Sequence, residues 1–250
     1  MEKKNRFLLG AALTAGAAVG TLVYLTAPGK VRKKQKKSFN GYNFAHRGLH
    51  KRDKSVPENS LAAFELAASR GYGMELDVQL TRDGQVVVFH DDTLNRVCGV
   101  DARVDEKTYA ELKMLRLCGT EETIPLFSDI LKITEGGGPL IVELKTGHHN
   151  VDLCRATYDL LKNYKGVYCI ESFDPFIVNW FRKNAPEVVR GQLSASYAEM
   201  KKGIPNSLIA FLLSRCFFTF LNKPDFIAYQ EGQRPRKVLR LRDKGVMLFS

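Results

Sequence analysis

Hydrophobic and polar positions alternate in short blocks along most of the chain. Apolar runs predict strands at residues 42–45, 74–80, 86–88, 140–144, 167–172, 188–193, 226–229 and 246–249. A capped amphipathic pattern predicts a helix from Leu61 that ends before Gly71, with further helices at 104–115, 150–163, 175–184 and 236–243. This alternation over about 210 residues predicts one α/β domain with a parallel sheet.

The position of the polar residues distinguishes two forms of such a sheet. They recur after several different strands, where the sites of (β/α) barrels are assembled. A TIM (β/α)8 barrel is therefore favoured over a doubly wound open sheet.

Residues 7–27 break the alternation, because they are apolar throughout and carry no charge. About 20 such residues can cross a bilayer as a helix, and the run exceeds the usual core of a signal peptide, which is the competing interpretation. The larger basic cluster follows the span, which favours a cytoplasmic location for the rest. We expect residues 1–40 to form a transmembrane anchor and residues 41–250 a separate domain, giving a single-pass protein of the cell membrane.

The net charge of +11 belongs mainly to this anchor. Residues 1–40 hold nine basic residues and one acidic residue, whereas the other 210 hold 29 and 26. Basic residues beside a span are attracted to anionic lipids, so the charge does not indicate a nucleic-acid partner. The cysteines show no CxxC spacing, which argues against a zinc site or a disulfide framework.

Candidate chemistry lies at the ends of two predicted strands. Glu75 and Asp77 are two residues apart and share one face, and Glu143 and Lys145 repeat the spacing. Taken alone, each pair also suits a solvated edge or a salt bridge. Three inward carboxylates would repel one another without a cation, and oxygen ligands suit Ca²⁺ or Mg²⁺.

Two histidines and an arginine lie in adjoining segments. Asp83-Gly84 predicts a two-residue type I′ hairpin, whose register would place His90 opposite Asp77. His46 and Arg47 end the first strand, where a histidine can titrate near neutral pH and an arginine can hold a phosphate by two hydrogen bonds. Without further context, they also suit a capped strand end with a surface arginine.

Together these motifs resemble the glycerophosphodiester phosphodiesterase family. The resemblance rests on His46-Arg47-Gly48, Pro57-Glu58-Asn59-Ser60, Glu75-Leu76-Asp77-Val78, Phe89-His90-Asp91 and Glu143-Leu144-Lys145, in the family's order. It implies a TIM barrel that hydrolyses glycerophosphodiesters to sn-glycerol 3-phosphate and an alcohol.

The resemblance also implies a role for each matching residue. Metal ligands would be Glu75, Asp77 and Glu143, binding one divalent cation, Ca²⁺ or Mg²⁺. The acid/base pair would be His46 and His90, and the phosphate contacts Arg47 and Lys145. Glu58 would lie near the site.

Two segments depart from the family pattern. The chain stops at Ser250 before the expected tryptophan motif, which predicts a C-terminally truncated domain that lacks the eighth strand. The apolar residues 207–221 are too short to span a bilayer; a buried cover is favoured over an interfacial helix that dips into the membrane. Alternative functions are a lysophospholipase D acting on membrane lipids and a non-catalytic membrane-tethered module that binds phosphorylated headgroups.

Overall fold

The structure is a computed structural model that describes residues 35, 37–229, 235, 236 and 239, together with the strand at 247–249. Within these residues, no helix has both the length and the apolar character needed to cross a bilayer. The span predicted at residues 7–27 lies outside them and stays a prediction. Most of the helix predicted at 236–243 also falls outside the described part of the chain.

The described residues divide into two compact units, one within Val31–Leu193 and one within Ser194–Ser250. The first unit contains six strands: β1 Phe44–His46, β2 Gly73–Leu80, β3 Val86–Val88, β4 Leu140–Leu144, β5 Tyr168–Ser172 and β6 Val189–Ser194. Five of them are parallel in the spatial order β1-β2-β4-β5-β6, and β3 pairs antiparallel with β2. This curled parallel sheet confirms the predicted α/β class.

Helices follow most of these strands. They are α1 Leu61–Ser69, α2 Asn95–Cys98, α3 Tyr109–Leu112, α4 Phe127–Thr134, α5 Asn150–Leu161 and α6 Pro175–Asn184, with 3-10 turns at Val104–Glu106 and Leu117–Gly119. Ser60 caps α1 by accepting a hydrogen bond from the Ala63 amide, as the capping pattern predicts. Asp174 caps α6 in the same way, and Pro175 occupies its first turn.

The core forms where helices cover the sheet. All five residues of β4 are buried, as expected for a parallel strand covered on both faces. Phe64, Phe127 and Phe181, from three different helices, are fully buried in the same cluster as Met74. Because apolar burial holds these strands on both sides, the polar residues at their ends are fixed on a rigid frame.

The helix predicted at residues 104–115 is wrong in its extent. The chain forms a 3-10 turn at Val104–Glu106 and then begins α3 after Thr108. The Thr108 hydroxyl accepts from the Glu111 amide, and the Glu111 carboxylate accepts from the Thr108 amide. This capping box starts a new helix and so interrupts the continuous one.

The second unit contains α7 Tyr197–Gly203, α8 Ser207–Ser214, α9 Thr219–Asn222, β7 Phe226–Tyr229 and β8 Met247–Phe249. Strands β7 and β8 pair in parallel, at the positions that the apolar pattern predicts. In α8 only Ala210 and Ser214 are buried, whereas Leu208 is 65% exposed. The expectation of a buried cover is therefore wrong for α8, since its buried stripe is narrow.

Candidate active site

Three acidic side chains meet on two neighbouring parallel strands. Glu75 and Asp77 lie on β2 and Glu143 on β4, and the register places Asp77 beside Glu143. All three side chains are buried, and a carboxylate oxygen from each lies within 4.8 Å of the others. The structure thus brings together the three carboxylates that the i, i+2 spacing indicates.

A fourth carboxylate extends this group across the sheet. Glu171 on β5 lies beside Glu143 in the register and is only 5% exposed. No sequence motif pointed to Glu171, although it lies next to the end of β5. Its distance of 28 residues from Glu143 along the chain hides a relation that parallel pairing creates.

Two cationic side chains reach the acidic group. The Lys145 ammonium lies 2.8 Å from Glu143 Oε1 and 3.5 Å from Asp77 Oδ1. Arg47 Nε lies 3.5 Å from Asp77 Oδ2. Both residues therefore occupy the site where the sequence predicts phosphate contacts.

The acidic group has more negative charge than its surroundings compensate. Burial and then the charge of Asp77 raise the pKa of Glu75 well above its ordinary value. Burial raises the pKa of Glu143 to about 7, although Lys145 opposes the shift. Burial and the neighbouring Glu143 raise the pKa of Glu171 as well. These shifts indicate a place where an additional positive charge would be stabilised.

Asp77 shows most directly that the group fits a cation. Its Oδ2 accepts a hydrogen bond of 2.9 Å from Asn59 Nδ2, but its Oδ1 is buried and has no hydrogen-bond partner. A buried carboxylate oxygen without a partner is costly. An all-oxygen set of three carboxylates is also the chemistry that Ca²⁺ and Mg²⁺ prefer.

The exit from β1 positions Arg47. Arg47 and Gly48 both have left-handed backbone conformations, with φ of 56° and 75°. A side chain at Gly48 would place its Cβ 2.8 Å from Ala63 Cβ, so the turn requires glycine. The turn directs the Arg47 amide to Glu75 Oε2 at 2.9 Å. Left-handed arginine is strained, and here it ties the first strand end to an acidic side chain of the second.

Glu58 lies at the site, as the motif implies, but as a partner of arginines. Its Oε1 accepts a hydrogen bond of 2.9 Å from Arg47 Nη1 and one of 2.6 Å from Arg96 Nη2. Partial burial opposes ionisation, yet Arg96 and then Arg47 lower the pKa of Glu58 to about 2. The next residue, Asn59, has φ of 56° and contacts Asp77. The Pro-Glu-Asn motif thus binds two arginines through Glu58 and the Asp77 carboxylate through Asn59.

The two histidines differ in their surroundings. The His46 ring is 67% exposed, and its Nε2 lies 3.9 Å from Glu75 Oε2. The His90 ring is 30% exposed, and its Nδ1 lies 2.6 Å from Asp91 Oδ1. Partial burial, followed by the charges of Arg47 for His46 and Lys145 for His90, lowers the pKa of both rings. Both histidines therefore favour the neutral form near neutral pH.

The hairpin that carries His90 differs from the prediction by one residue. Val78 pairs with Val88, and the Phe89 amide donates to the Asp77 carbonyl, so Phe89 and not His90 lies opposite Asp77. The loop has three residues between Thr81 and Gln85, and Gly84 alone of them is left-handed. A type I′ turn would need positive φ at Asp83 as well. His90 still lies close enough to Asp77 for that charge to affect its pKa.

Asp91 contacts both a histidine and an arginine outside the acidic group. It accepts from Arg96 Nε at 2.6 Å and from Arg96 Nη2 at 3.0 Å, besides its contact with His90. Asp91 belongs to the Phe-His-Asp motif, whereas no sequence motif pointed to Arg96. Arg96 follows Asp91 by five residues, a spacing that only the short turn before α2 brings into contact.

Comparison with known proteins identifies the family of the chain. A sequence model of the glycerophosphoryl diester phosphodiesterase family matches residues 46–250. The chain therefore belongs to that family, as the sequence motifs predict.

Relatives and solved structures extend the comparison. A glycerophosphodiester phosphodiesterase from Caldanaerobacter subterraneus is 33% identical over 60% of this chain and 65% of its own length. A rat lysophospholipase D is 32% identical over 60% of this chain and 50% of its own length. The chain thus matches less than two thirds of either relative.

The fold recurs in solved structures. A phosphodiesterase from Oleispira antarctica, in complex with the product sn-glycerol-3-phosphate, aligns over 85% of this chain and 93% of its own, with a TM-score of 0.61 and 24% identity. A glycerophosphodiester phosphodiesterase from Parabacteroides distasonis aligns over 82% and 90%, with a TM-score of 0.56 and 26% identity. These neighbours show that the mixed α/β fold is shared.

Proposed function

We propose that the chain is a phosphoric diester hydrolase that converts glycerophosphodiesters to sn-glycerol 3-phosphate and an alcohol, with one divalent cation. The observation that carries the proposal is the buried triad of Glu75, Asp77 and Glu143, which faces two cationic side chains and lies beside two histidines with lowered pKa values. Family membership and the names of the relatives support the substrate class.

The triad would hold the cation, Ca²⁺ or Mg²⁺, through one oxygen from each carboxylate. When bound, the cation supplies Lewis-acid stabilisation to the negative charge on the phosphoryl oxygens. Asp77 Oδ1 supports this assignment, since it is buried without a hydrogen bond within the described residues and the Lys145 ammonium lies 3.5 Å away. A bound cation would add the close contact that this oxygen lacks.

Arg47 and Lys145 would hold the phosphoryl oxygens. Arg47 uses Nη1 for Glu58, while its Nη2 makes no hydrogen bond within the described residues. That nitrogen can donate to an anionic oxygen, and the Lys145 ammonium adds a second positive charge. These donors act where negative charge increases as the phosphodiester is attacked, which is the most effective place for electrostatic stabilisation.

His46 and His90 would move the protons. One neutral ring accepts a proton from the attacking oxygen, that of water or of the substrate's own 2-hydroxyl, and the other, in its protonated form, donates a proton to the departing alkoxide as the phosphorus–oxygen bond breaks. Each transfer contributes about 10²- to 10⁴-fold to the rate. The lowered pKa values support the base role, because a neutral ring is available at neutral pH.

The finer arrangement is also proposed. Solved neighbours with the same fold support a (β/α)8 barrel, which would place the ends of β1, β2, β4 and β5 on its catalytic face. The uncharged residues 7–27 and the basic cluster after them support a single-pass anchor, with the site on the cytoplasmic side.

The decisive experiment measures release of glycerol 3-phosphate from glycerophosphocholine by the full chain. We expect turnover to disappear with a chelator and return with Ca²⁺ or Mg²⁺. His46→Ala and His90→Ala should each lower kcat by about 10²- to 10⁴-fold. Unchanged turnover in either variant would contradict the acid/base assignment, and binding of the diester without turnover would identify a non-catalytic headgroup-binding module.

Lysophospholipase D activity is the second candidate, favoured by the exposed apolar residues of α8 and the similarity to the rat enzyme. Choline release from lysophosphatidylcholine, measured beside glycerophosphocholine hydrolysis, distinguishes the two activities. A higher kcat/KM for the lysolipid would favour this candidate. A lack of choline release from lysophosphatidylcholine would exclude it.

A further inference from the structure

Arg96 bridges two carboxylates that belong to different segments of the site. Its Nε and Nη2 bind Asp91 at 2.6 Å and 3.0 Å, and its Nη2 and Nη1 bind Glu58 at 2.6 Å and 3.1 Å. The guanidinium thus uses both edges of its planar group for charge-assisted pairs. Its side chain is 51% exposed, although both partner side chains are mostly covered.

These contacts leave Arg96 a single N–H group for any other partner. Four of the five N–H groups of an arginine are engaged with the two carboxylates. Arg47 differs, because it spends one Nη on Glu58 and keeps the other available within the described residues. The two arginines on either side of Glu58 therefore have different tasks.

Each partner of Arg96 contacts a residue of the proposed mechanism. Asp91 Oδ1 lies 2.6 Å from His90 Nδ1, and Glu58 Oε1 lies 2.9 Å from Arg47 Nη1. A carboxylate on Nδ1 fixes the ring orientation and the tautomer with the proton on that nitrogen, which leaves Nε2 for proton exchange. A carboxylate on Nη1 fixes the plane of the guanidinium.

We propose that Arg96 is a positioning residue that holds Asp91 and Glu58 together, and thereby fixes both His90 and Arg47 for the reaction. This inference rests on the proposed function. One side chain outside the acidic group then sets the orientation of a proton-transfer group and of a phosphate donor. Without it, Asp91 and Glu58 lose their shared counter-charge and move apart by mutual repulsion.

The test compares Arg96→Gln with the matched control Arg82→Gln in the full chain. Arg82 is 57% exposed and also joins two segments, with hydrogen bonds to Glu111 and to the Glu106 carbonyl. We expect Arg96→Gln to lower kcat/KM for glycerophosphocholine by about 10- to 100-fold, the usual effect of losing an outer-shell partner. Arg82→Gln should stay within about twofold of the wild type. Equal activity of the two variants would overturn the proposal.

The contact through Asp91 to His90 and the contact through Glu58 to Arg47 should have different effects on the kinetics. Asp91→Asn should mainly lower kcat through His90, whereas Glu58→Gln should mainly raise KM through Arg47. The loss in the double variant Arg96→Gln/Asp91→Asn should be smaller than the product of the two single losses, because both act through one contact. Multiplicative losses would contradict the shared role. Added guanidinium should partly restore the kcat/KM of Arg96→Ala for glycerophosphocholine.

A readout without turnover separates this inference from the proposed function. Nitrogen-15 NMR of labelled histidine should show His90 with its proton on Nδ1 in the wild type and in Arg82→Gln. In Arg96→Gln we expect a mixture of tautomers. An inactive wild type with this spectral change would defeat the proposed function alone; an unchanged His90 spectrum in Arg96→Gln would defeat the positioning role.

Discussion

Two groups of carboxylates lie in the unit Val31–Leu193: the pKa values of Glu75, Glu143 and Glu171 are raised, whereas those of Glu58 and Asp91 are lowered. The first group, here called the strand-end group, consists of Glu75, Asp77, Glu143 and Glu171. In it, burial raises the pKa of Glu143 to about 7 and that of Glu75 well above its ordinary value. The second group, here called the Arg96 group, consists of Glu58 and Asp91 with Arg96 between them. Partial burial raises the pKa of both carboxyls, but the Arg96 guanidinium outweighs it and lowers each pKa to about 2.

The supply of positive charge explains the difference. Four buried carboxylates of the strand-end group share Lys145 and one edge of Arg47, whereas Glu58 and Asp91 have a guanidinium between them. The first group is held together by the sheet against its own repulsion, and a bound cation would relieve it. In the second group, opposite charges attract one another, so its carboxylates can hold His90 and Arg47 in fixed orientations. Net repulsion between carboxylates thus marks the proposed cation site, whereas net attraction marks the group that positions His90 and Arg47.

The largest effect is expected from Glu75→Gln. Loss of a cation ligand should lower kcat/KM by about 10²- to 10³-fold, as for other lost electrostatic stabilisers. The same change removes a carboxyl whose pKa is raised on folding and which therefore costs stability above its unfolded pKa. The chelated variant should therefore unfold about 2–4 °C higher, corresponding to about 1 kcal/mol. Assays and thermal melts near pH 8 check both. Glu65→Gln, an exposed control on α1, should change neither; a less stable Glu75→Gln would contradict the strain argument.

A cation should raise the melting temperature of the chelated wild type. At a free concentration about 100 times Kd, binding to the native state adds about 2.7 kcal/mol to the free energy of unfolding. Thermal melts with Ca²⁺ and with Mg²⁺ measure the shift without any substrate. The shift should be largely lost in Glu75→Gln. Equal shifts in the wild type and this variant would show that the cation binds elsewhere.

Acid should reduce the contribution of the Arg96 group. Because Glu58 and Asp91 have lowered pKa values when folded, their stabilisation is present above about pH 4 and is lost as the pH falls through about 2. Arg96→Gln should therefore be less stable than the wild type by about 1 kcal/mol near pH 7, a value reduced by solvent exposure. Denaturant unfolding at several pH values should show this difference vanish towards pH 2. A constant difference would contradict the linkage.

The smallest effect is expected from Glu171→Gln. The change relieves repulsion with Glu143 and keeps the side-chain shape, so the chelated variant should melt about 2–4 °C higher. Its activity should fall much less than that of Glu75→Gln, because Glu171 lies outside the triad. A loss as large as that of Glu75→Gln would instead make Glu171 a fourth ligand. Parallel melts and assays decide between the two.

Much of the fold could be predicted from local pattern. The strands Leu140–Leu144 and Phe226–Tyr229 match their predicted bounds, because a continuous apolar run leaves few alternatives for a buried strand. The hairpin register was wrong by one residue, since Asp83-Gly84 suits both a two-residue and a three-residue loop. Turn conformation depends on contacts such as that of Asp83 with Tyr109, far along the chain.

The sequence by itself determined which residue types reach the strand ends: an i, i+2 spacing puts Glu75 and Asp77 on one face whatever the surroundings. Only the tertiary structure decided that Glu171 joins them and that Arg96 bridges Asp91 to Glu58. The physical reason is that side-chain direction follows from local backbone geometry. Strand register and ion pairing between distant segments instead follow from packing of the whole sheet, which no local pattern encodes.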